Sequence, residues 1–113
     1  MQIEKSSNNG ETLLTLKGEI DLHASPVLRT ELRSCVEAKT PVLLVDFNGV
    51  DYIDSSGLAT FIEYLRDAGA YKGKIALFGL KPKVRTIFDL VRLNELFTLS
   101  DSAEAARTAL AAK

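Results

Sequence analysis

The reading of this chain turns on residues 42–65, VLLVDFNGVDYIDSSGLATFIEYL. The first part, Val42-Leu43-Leu44-Val45-Asp46-Phe47, is an apolar run bounded by Pro41 and by Asn48-Gly49. It is too short for a typical helix, and it suits a central strand covered on both faces. From Leu58 the period changes: Leu58, Phe61, Ile62, Leu65 and Ala68 form one apolar face at helical spacing. Between strand and helix lies Asp54-Ser55-Ser56-Gly57, where the chain leaves the sheet. Hydroxyls at a helix start are usually caps. Two in a row beside a carboxylate and a glycine, after a buried strand, admit a second reading: a surface serine presented for modification or recognition.

Working outward, Met1 to Lys5 reads as a short edge strand with Ile3 pointing inward, and Asn8-Asn9-Gly10 is a turn signal. Glu11 to Lys17 follows as a strand, with Leu14 and Leu16 on one face and Leu13 on the other. In Gly18-Glu19-Ile20-Asp21-Leu22 the alternation puts Ile20 and Leu22 opposite Glu19 and Asp21. The first helix opens with Ser25 as the expected N-cap and Pro26 at N1. Leu28, Leu32, Cys35 and Val36 form its inner face, and Arg29, Glu31, Arg33 and Glu37 its outer one. Beyond the second helix, residues 74–79 read as a strand, 82–91 as a helix presenting Val84, Ile87, Phe88 and Val91, and 96–99 as a last short strand. Asp101 and Glu104 have capping-box spacing for a final alanine-rich helix anchored by Leu110. The order β-β-α-β-α-β-α-β-α predicts an α/β fold, with right-handed crossovers, a mostly parallel sheet and an antiparallel opening hairpin. Leu44, Phe47, Leu58, Ile62, Leu65, Leu77 and Phe88 are expected to share one core. Sites in such sheets cluster beyond the carboxyl ends of the strands. The Asp21 loop and Asp54-Ser55-Ser56-Gly57 both follow strands, so the two are expected to meet there.

Composition bounds the function. A chain of 113 residues is large enough for a core without disulfide or metal staples. Lys plus Arg number 14 against 15 Asp plus Glu, a net charge of -1 with no basic stripe, which argues against a nucleic-acid footprint. Cys35 has no partner for an intramolecular disulfide and reads as a buried thiol. No apolar run approaches the roughly 20 residues of a membrane helix, and no signal peptide is read at the start, so the cytoplasm is the expected compartment. Catalysis fares poorly. Ile53-Asp54 precede the serines where a G-x-S-x-G elbow would need glycine, and Gly-rich nucleotide loops are absent. His23 is the sole histidine, and its use as a base for Ser55 has no support in the sequence. Asp46, Asp51 and Asp54 invite Mg²⁺ only in principle, because no phosphotransfer set accompanies them. The expectation is a protein that is not an enzyme and has no cofactor or metal.

Gly18-Glu19-Ile20-Asp21, residues 45–52, Ile53-Asp54-Ser55-Ser56-Gly57-Leu58, Gly79-Leu80-Lys81-Pro82-Lys83-Val84-Arg85 and Ile87-Phe88 resemble the STAS-domain anti-sigma factor antagonists. The likeness spans about residues 3 to 111, and the chain is read as a single STAS domain over residues 1–113. Asp-Ser-Ser-Gly alone is a weak signature; these motifs in this order are a strong one. The resemblance implies transcription regulation by partner switching, as in stress responses. The unphosphorylated protein binds an anti-sigma factor with serine kinase activity and so frees a sigma factor. Phosphorylation ends the association, and a PP2C-type serine phosphatase reverses it. Carried onto this chain, it makes Ser55 the phosphoacceptor and Asp21, Asp54, Ser55, Ser56 and Gly57 the partner-binding set, with Ser56 orienting or capping. Asp21 is expected on an exposed loop whose truncation leaves folding nearly intact. Ala59 stands where many relatives have glycine, which favours the helix. No direct nucleic-acid binding or membrane insertion is implied, and weak homodimerisation is left open. Relatives also serve as scaffolds of sensory complexes and as cytoplasmic accessory subunits of membrane transporters; a small hydrolase is the enzyme-class alternative.

Overall fold

The computed structural model describes residues 1–112. Across them the chain runs β1 (Gln2–Asn8), β2 (Glu11–Ile20), α1 (Ser25–Glu37), β3 (Val42–Ile53), α2 (Ser55–Gly69), β4 (Lys74–Phe78), α3 (Pro82–Leu90), a 3-10 turn (Leu93–Glu95), β5 (Thr98–Ser100) and α4 (Ala103–Ala111). The sheet order is β1-β2-β3-β4-β5. β1 pairs antiparallel with β2, and the remaining pairs are parallel. This is the α/β architecture that the alternation of periods predicts.

β3 departs from its expected end. Asn48-Gly49 is not a turn, because the strand runs on to Ile53 through two irregularities. Pairing with β2 steps from Thr15↔Asp46 to Lys17↔Gly49, and again from Gly18↔Val50 to Glu19↔Tyr52, so β3 gains one residue each time. The Asp46 carboxylate accepts from the backbone amide and the side-chain amide of Asn48, both at 2.8 Å, which braces the first bulge. A Cβ on Gly49 would lie 2.9 Å from the Leu16 carbonyl oxygen, so the close approach of β2 requires glycine there. Asp51 accordingly lies in the strand, ion-paired with Lys81.

Strand alternation divides the apolar run into two cores. Leu43, Val45 and Phe47 face α1, α2 and α3, packing with Leu28, Leu32, Phe61, Tyr64, Val84 and Phe88. Phe47, Phe61, Phe97 and Phe88 close a ring of aromatic contacts with centroids 5.5 to 6.5 Å apart. Leu44 points the other way, into a smaller cluster with Ala76, Phe78, Ala106 and Leu110 beneath α4. Leu44 therefore does not share the core of Phe47, Leu58, Leu77 and Phe88.

Several other expectations are corrected at helix surfaces. Ile62 is 41% exposed, and the buried stripe of α2 runs instead through Gly57, Phe61, Tyr64 and Ala68. Tyr64 takes the inward position because α2 packs beside α1 as well as on the sheet. Val91 falls just past the end of α3 and is 53% exposed; Leu22, beyond the end of β2, is 71% exposed. The cap of α4 is Ser102, whose hydroxyl accepts from the Ala105 amide, so the Asp101–Glu104 box does not form as read.

Truncating Leu44 to Ala, at a site with no exposure, should cost about 2–5 kcal/mol through lost burial and a residual cavity. Ile62→Ala should cost less than about 1 kcal/mol, because much of that side chain is already in water. Urea denaturation of the two variants beside the parent checks the contrast.

Candidate functional site

β2 and β3 end together, with Ile20 opposite Ile53, and the Asp54 amide donates to the Ile20 carbonyl at 3.1 Å. The residues after each strand, Asp21 and Asp54, thereby emerge side by side at the carboxyl edge of the sheet, as their positions after strands predict. The parallel register produces the proximity.

Asp54 is the N-cap of α2, with extended backbone. One carboxylate oxygen, Oδ1, accepts from the Ser56 amide at 2.9 Å, the Gly57 amide at 3.1 Å and the Ser56 hydroxyl at 2.6 Å. It thus satisfies amides that a helix start leaves without intrahelical partners. The Ser56 hydroxyl, ahead of the loss of solvation that opposes it and the Gly57, Ser56 and Leu22 amides that reinforce it, holds the Asp54 carboxyl below the usual aspartate range.

The two serines have different situations. Ser56 is half-buried; its hydroxyl touches Asp54 and lies 2.8 Å from the Ser25 hydroxyl. Ser55 is exposed and its hydroxyl has no hydrogen-bond partner among the described residues. The adjacent Gly57 is buried: a Cβ there would sit 2.7 Å from Ile20 Cγ2, 2.8 Å from Ile53 Cγ1 and 3.0 Å from the Ile20 carbonyl oxygen. Glycine lets the first turn of α2 settle onto the ends of both strands, so its contribution to the site is packing.

Asp21 organises its own loop. Its Oδ1 accepts from the His23 and Ala24 amides, each at 3.0 Å, and its carbonyl accepts from the Ala24 and Ser25 amides at 3.1 and 2.9 Å. It is half-buried rather than on an exposed loop as expected, and its carboxylate holds two loop amides. Ser25 is not the N-cap of α1; Ala24 holds that position, and Ser25 is a buried first-turn residue whose hydroxyl donates to the Asp21 carbonyl at 2.8 Å. α1 and α2 are also joined by Glu63, which receives Arg29 at 3.0 Å and Arg33 at 2.9 Å. His23 is exposed on the same loop.

Beside Ser55, the α2 surface and the segment after α3 enclose a shallow apolar depression of about 280 Å³ lined by Ser55, Leu58, Ala59, Ile62, Val91 and Leu93. Helical spacing in the sequence places Ile62 and Val91 inside, whereas both are exposed and line this depression. The spacing of Ser55, Ala59 and Ile62 at i, i+4 and i+7 was the available signal, since a face that exposes the first exposes the others. Asp46, Asp51 and Asp54 have separate partners: Asn48, Lys81 and the α2 start. Among the described residues no group of three or more metal-ligating side chains converges, and no helix is long and apolar enough to cross a membrane.

The fold is a single α/β domain with its candidate site at the strand ends, and comparison gives its family. Residues 2–106 match the STAS domain model, so the chain belongs to the STAS domain family. It is similar to the anti-sigma-B factor antagonist of Bacillus subtilis strain 168, with 26% identity over 104 residues, 92% of this chain and 94% of that protein. Among solved structures it resembles an anti-sigma factor antagonist from Mycobacterium paratuberculosis, with TM-score 0.87 and 24% identity over 96% of this chain and 92% of the other. It also resembles the Bacillus cell fate determinant SpoIIAA in the phosphorylated form, with TM-score 0.75 and 20% identity over 96% and 99% of the two chains. At those identities the structural likenesses speak for the fold.

Two predictions follow from the packing and charge of the α2 start. Gly57→Ala should destabilise the chain by about 1–3 kcal/mol through overpacking against Ile20 and Ile53, read as a lower urea midpoint. The depressed Asp54 carboxyl contributes stability that is complete above the ordinary aspartate value of 3.8 and is lost as pH falls through the lower folded value. The parent should therefore exceed Asp54→Asn in stability at neutral pH, and that margin should shrink below about pH 4 in an acid series of melts.

Proposed function

We propose that this chain is an anti-sigma factor antagonist that works by binding rather than catalysis, with Ser55 as its switch. In the unphosphorylated state it binds an anti-sigma factor with serine kinase activity in the cytoplasm and so releases a sigma factor. Phosphorylation of Ser55 ends the association, and a PP2C-type phosphatase restores it. The observation that carries this reading is the asymmetry of the adjacent serines. Ser56 is committed to Asp54 and Ser25, while Ser55 presents an unengaged hydroxyl at the rim of an apolar depression. The names of the related antagonists support the partner class.

The physics of the switch is local. A phosphate on Ser55 adds about -1.5 to -2 charges and three acceptor oxygens. At a helix start the dipole tolerates that charge within the chain. Asp54 already occupies the Ser56 and Gly57 amides, however, so the phosphate remains at the surface beside Ala59 and Ile62. A partner whose apolar side chains enter that depression then meets a desolvated charge without a counterion. Folding persists while association is lost.

Titration calorimetry with the cognate anti-sigma factor at fixed nucleotide concentration tests this. Ser55→Ala should bind like the parent and resist kinase-driven release. Ser55→Asp should fold and bind at least tenfold more weakly, about 1.4 kcal/mol. Asp21→Asn, which keeps an acceptor for the His23 and Ala24 amides, separates loop charge from loop architecture and should weaken binding with little change in melting temperature. Equal affinities for parent, Ser55→Asp and phosphorylated protein would overturn the switch.

A further inference from the structure

Ser25 and Ser56 lie 31 positions apart, on different helices, yet their hydroxyl oxygens are 2.8 Å apart. They form the middle of a chain of close oxygen contacts from the Asp21 carbonyl to the Asp54 carboxylate: 2.8 Å from Asp21 O to Ser25 Oγ, 2.8 Å to Ser56 Oγ and 2.6 Å to Asp54 Oδ1. The carbonyl and the ionised carboxylate can only accept, and each hydroxyl has one proton to give. Three contacts therefore share two protons. The shortest involves a charge, so it holds the Ser56 proton. The Ser25 proton is left with two acceptors, the Asp21 carbonyl in its own loop and the Ser56 oxygen on α2.

As placed, that proton closes the loop on the Asp21 carbonyl, and the Ser56 oxygen at the same 2.8 Å is its one alternative acceptor, tying the loop to α2. Ser25 at the centre of the arrangement is only 2% exposed, while Asp21, Ser56 and Asp54 on either side of it are half-buried. Neither end relies on it alone. The Asp21 carbonyl keeps the Ala24 and Ser25 amides, and Asp54 keeps the Ser56 and Gly57 amides, when the Ser25 hydroxyl is removed.

We propose that Ser25 is a positioning residue that couples the Asp21 loop to the start of α2, so that a negative charge at Ser55 is felt at His23 and Ala24 through Asp54, Ser56 and Ser25. A charge at position 55 repels the Asp54 carboxylate and alters its hold on Ser56. Ser56 then changes its demand on the Ser25 proton, and Ser25 changes its hold on the Asp21 carbonyl. The loop and the helix start thereby act as one surface. The coupling itself is a property of the free chain; its use as a phosphorylation readout rests on the function proposed above.

The test compares amide nitrogen–proton NMR spectra of the free, full-length chain with and without Ser55→Asp, in backgrounds carrying Ser25, Ser25→Ala or Ser25→Thr. In the Ser25 background, Ser55→Asp should shift the His23 and Ala24 amides. Ser25→Ala should cut those shifts by at least half while the chain stays folded, and Ser25→Thr, which keeps the hydroxyl, should restore them. Ser56→Ala, which removes the other side of the contact, should act like Ser25→Ala. Loop shifts that are absent in the Ser25 background, that persist undiminished in Ser25→Ala, or that are lost equally in Ser25→Thr overturn the coupling, as does a Ser25→Ala chain that fails to fold. No partner is present, so failure to find a kinase would sink the proposed function and leave these shifts standing. Undiminished shifts in Ser25→Ala would remove the coupling and leave Ser55 as the acceptor.

Discussion

The site depends on one carboxylate oxygen. Asp54 Oδ1 holds two backbone amides and the Ser56 hydroxyl, and this fixes how α2 begins. Once Ser56 is turned inward to Asp54 and Ser25, helical geometry turns Ser55 outward. Gly57 then sits against Ile20 and Ile53, with no room for a side chain. The Asp54 amide is bonded to the Ile20 carbonyl, so the cap is anchored to the sheet and the α2 start is held at a defined height above it. The local chemistry of four residues and the register of two parallel strands are in this sense one constraint.

The two bulges in β3 serve the same end. The strand needs twelve residues to keep pace with the ten of β2, and only with both extra residues does Ile53 finish opposite Ile20. The large core under α2 and α3 fixes the helices against this strand, and the aromatic ring from Phe47 to Phe97 gives the packing directional preference. The Glu63 ion pairs with Arg29 and Arg33 lie near the surface and add little stability. Their geometry still joins α1 and α2 along the side where Ser25 and Ser56 meet.

Element order, the parallel sheet and the meeting of the Asp21 and Asp54 segments were legible in the sequence, because each rests on a period or on position after a strand. What was not legible depended on a second layer or a neighbour. Val42 to Phe47 reads as one apolar run, and alternation alone does not reveal that Leu44 belongs to a different core from Phe47. Asn48-Gly49 has the chemistry of a turn, and the neighbouring strand β2, too close to Gly49 for a side chain, together with the Asp46–Asn48 bonds, makes it a bulge instead. Ile62 and Tyr64 are both apolar enough for the interior, and contact with α1 selects Tyr64. Ser25 before Pro26 has the pattern of an N-cap. Its burial and its contact with Ser56, 31 positions away, arise from tertiary packing that local spacing does not encode.

In the proposed function, the architecture around Asp54 and Ser56 selects Ser55 over its neighbour for modification. The most direct measurement is site-localising fragmentation mass spectrometry of the chain after incubation with its cognate kinase and ATP, run in parallel on the parent and on Ser56→Ala. The account predicts phosphate on Ser55 in both, with none of the signal depending on the hydroxyl at 56. Phosphate found mainly on Ser56, or divided evenly between the two serines, would contradict it.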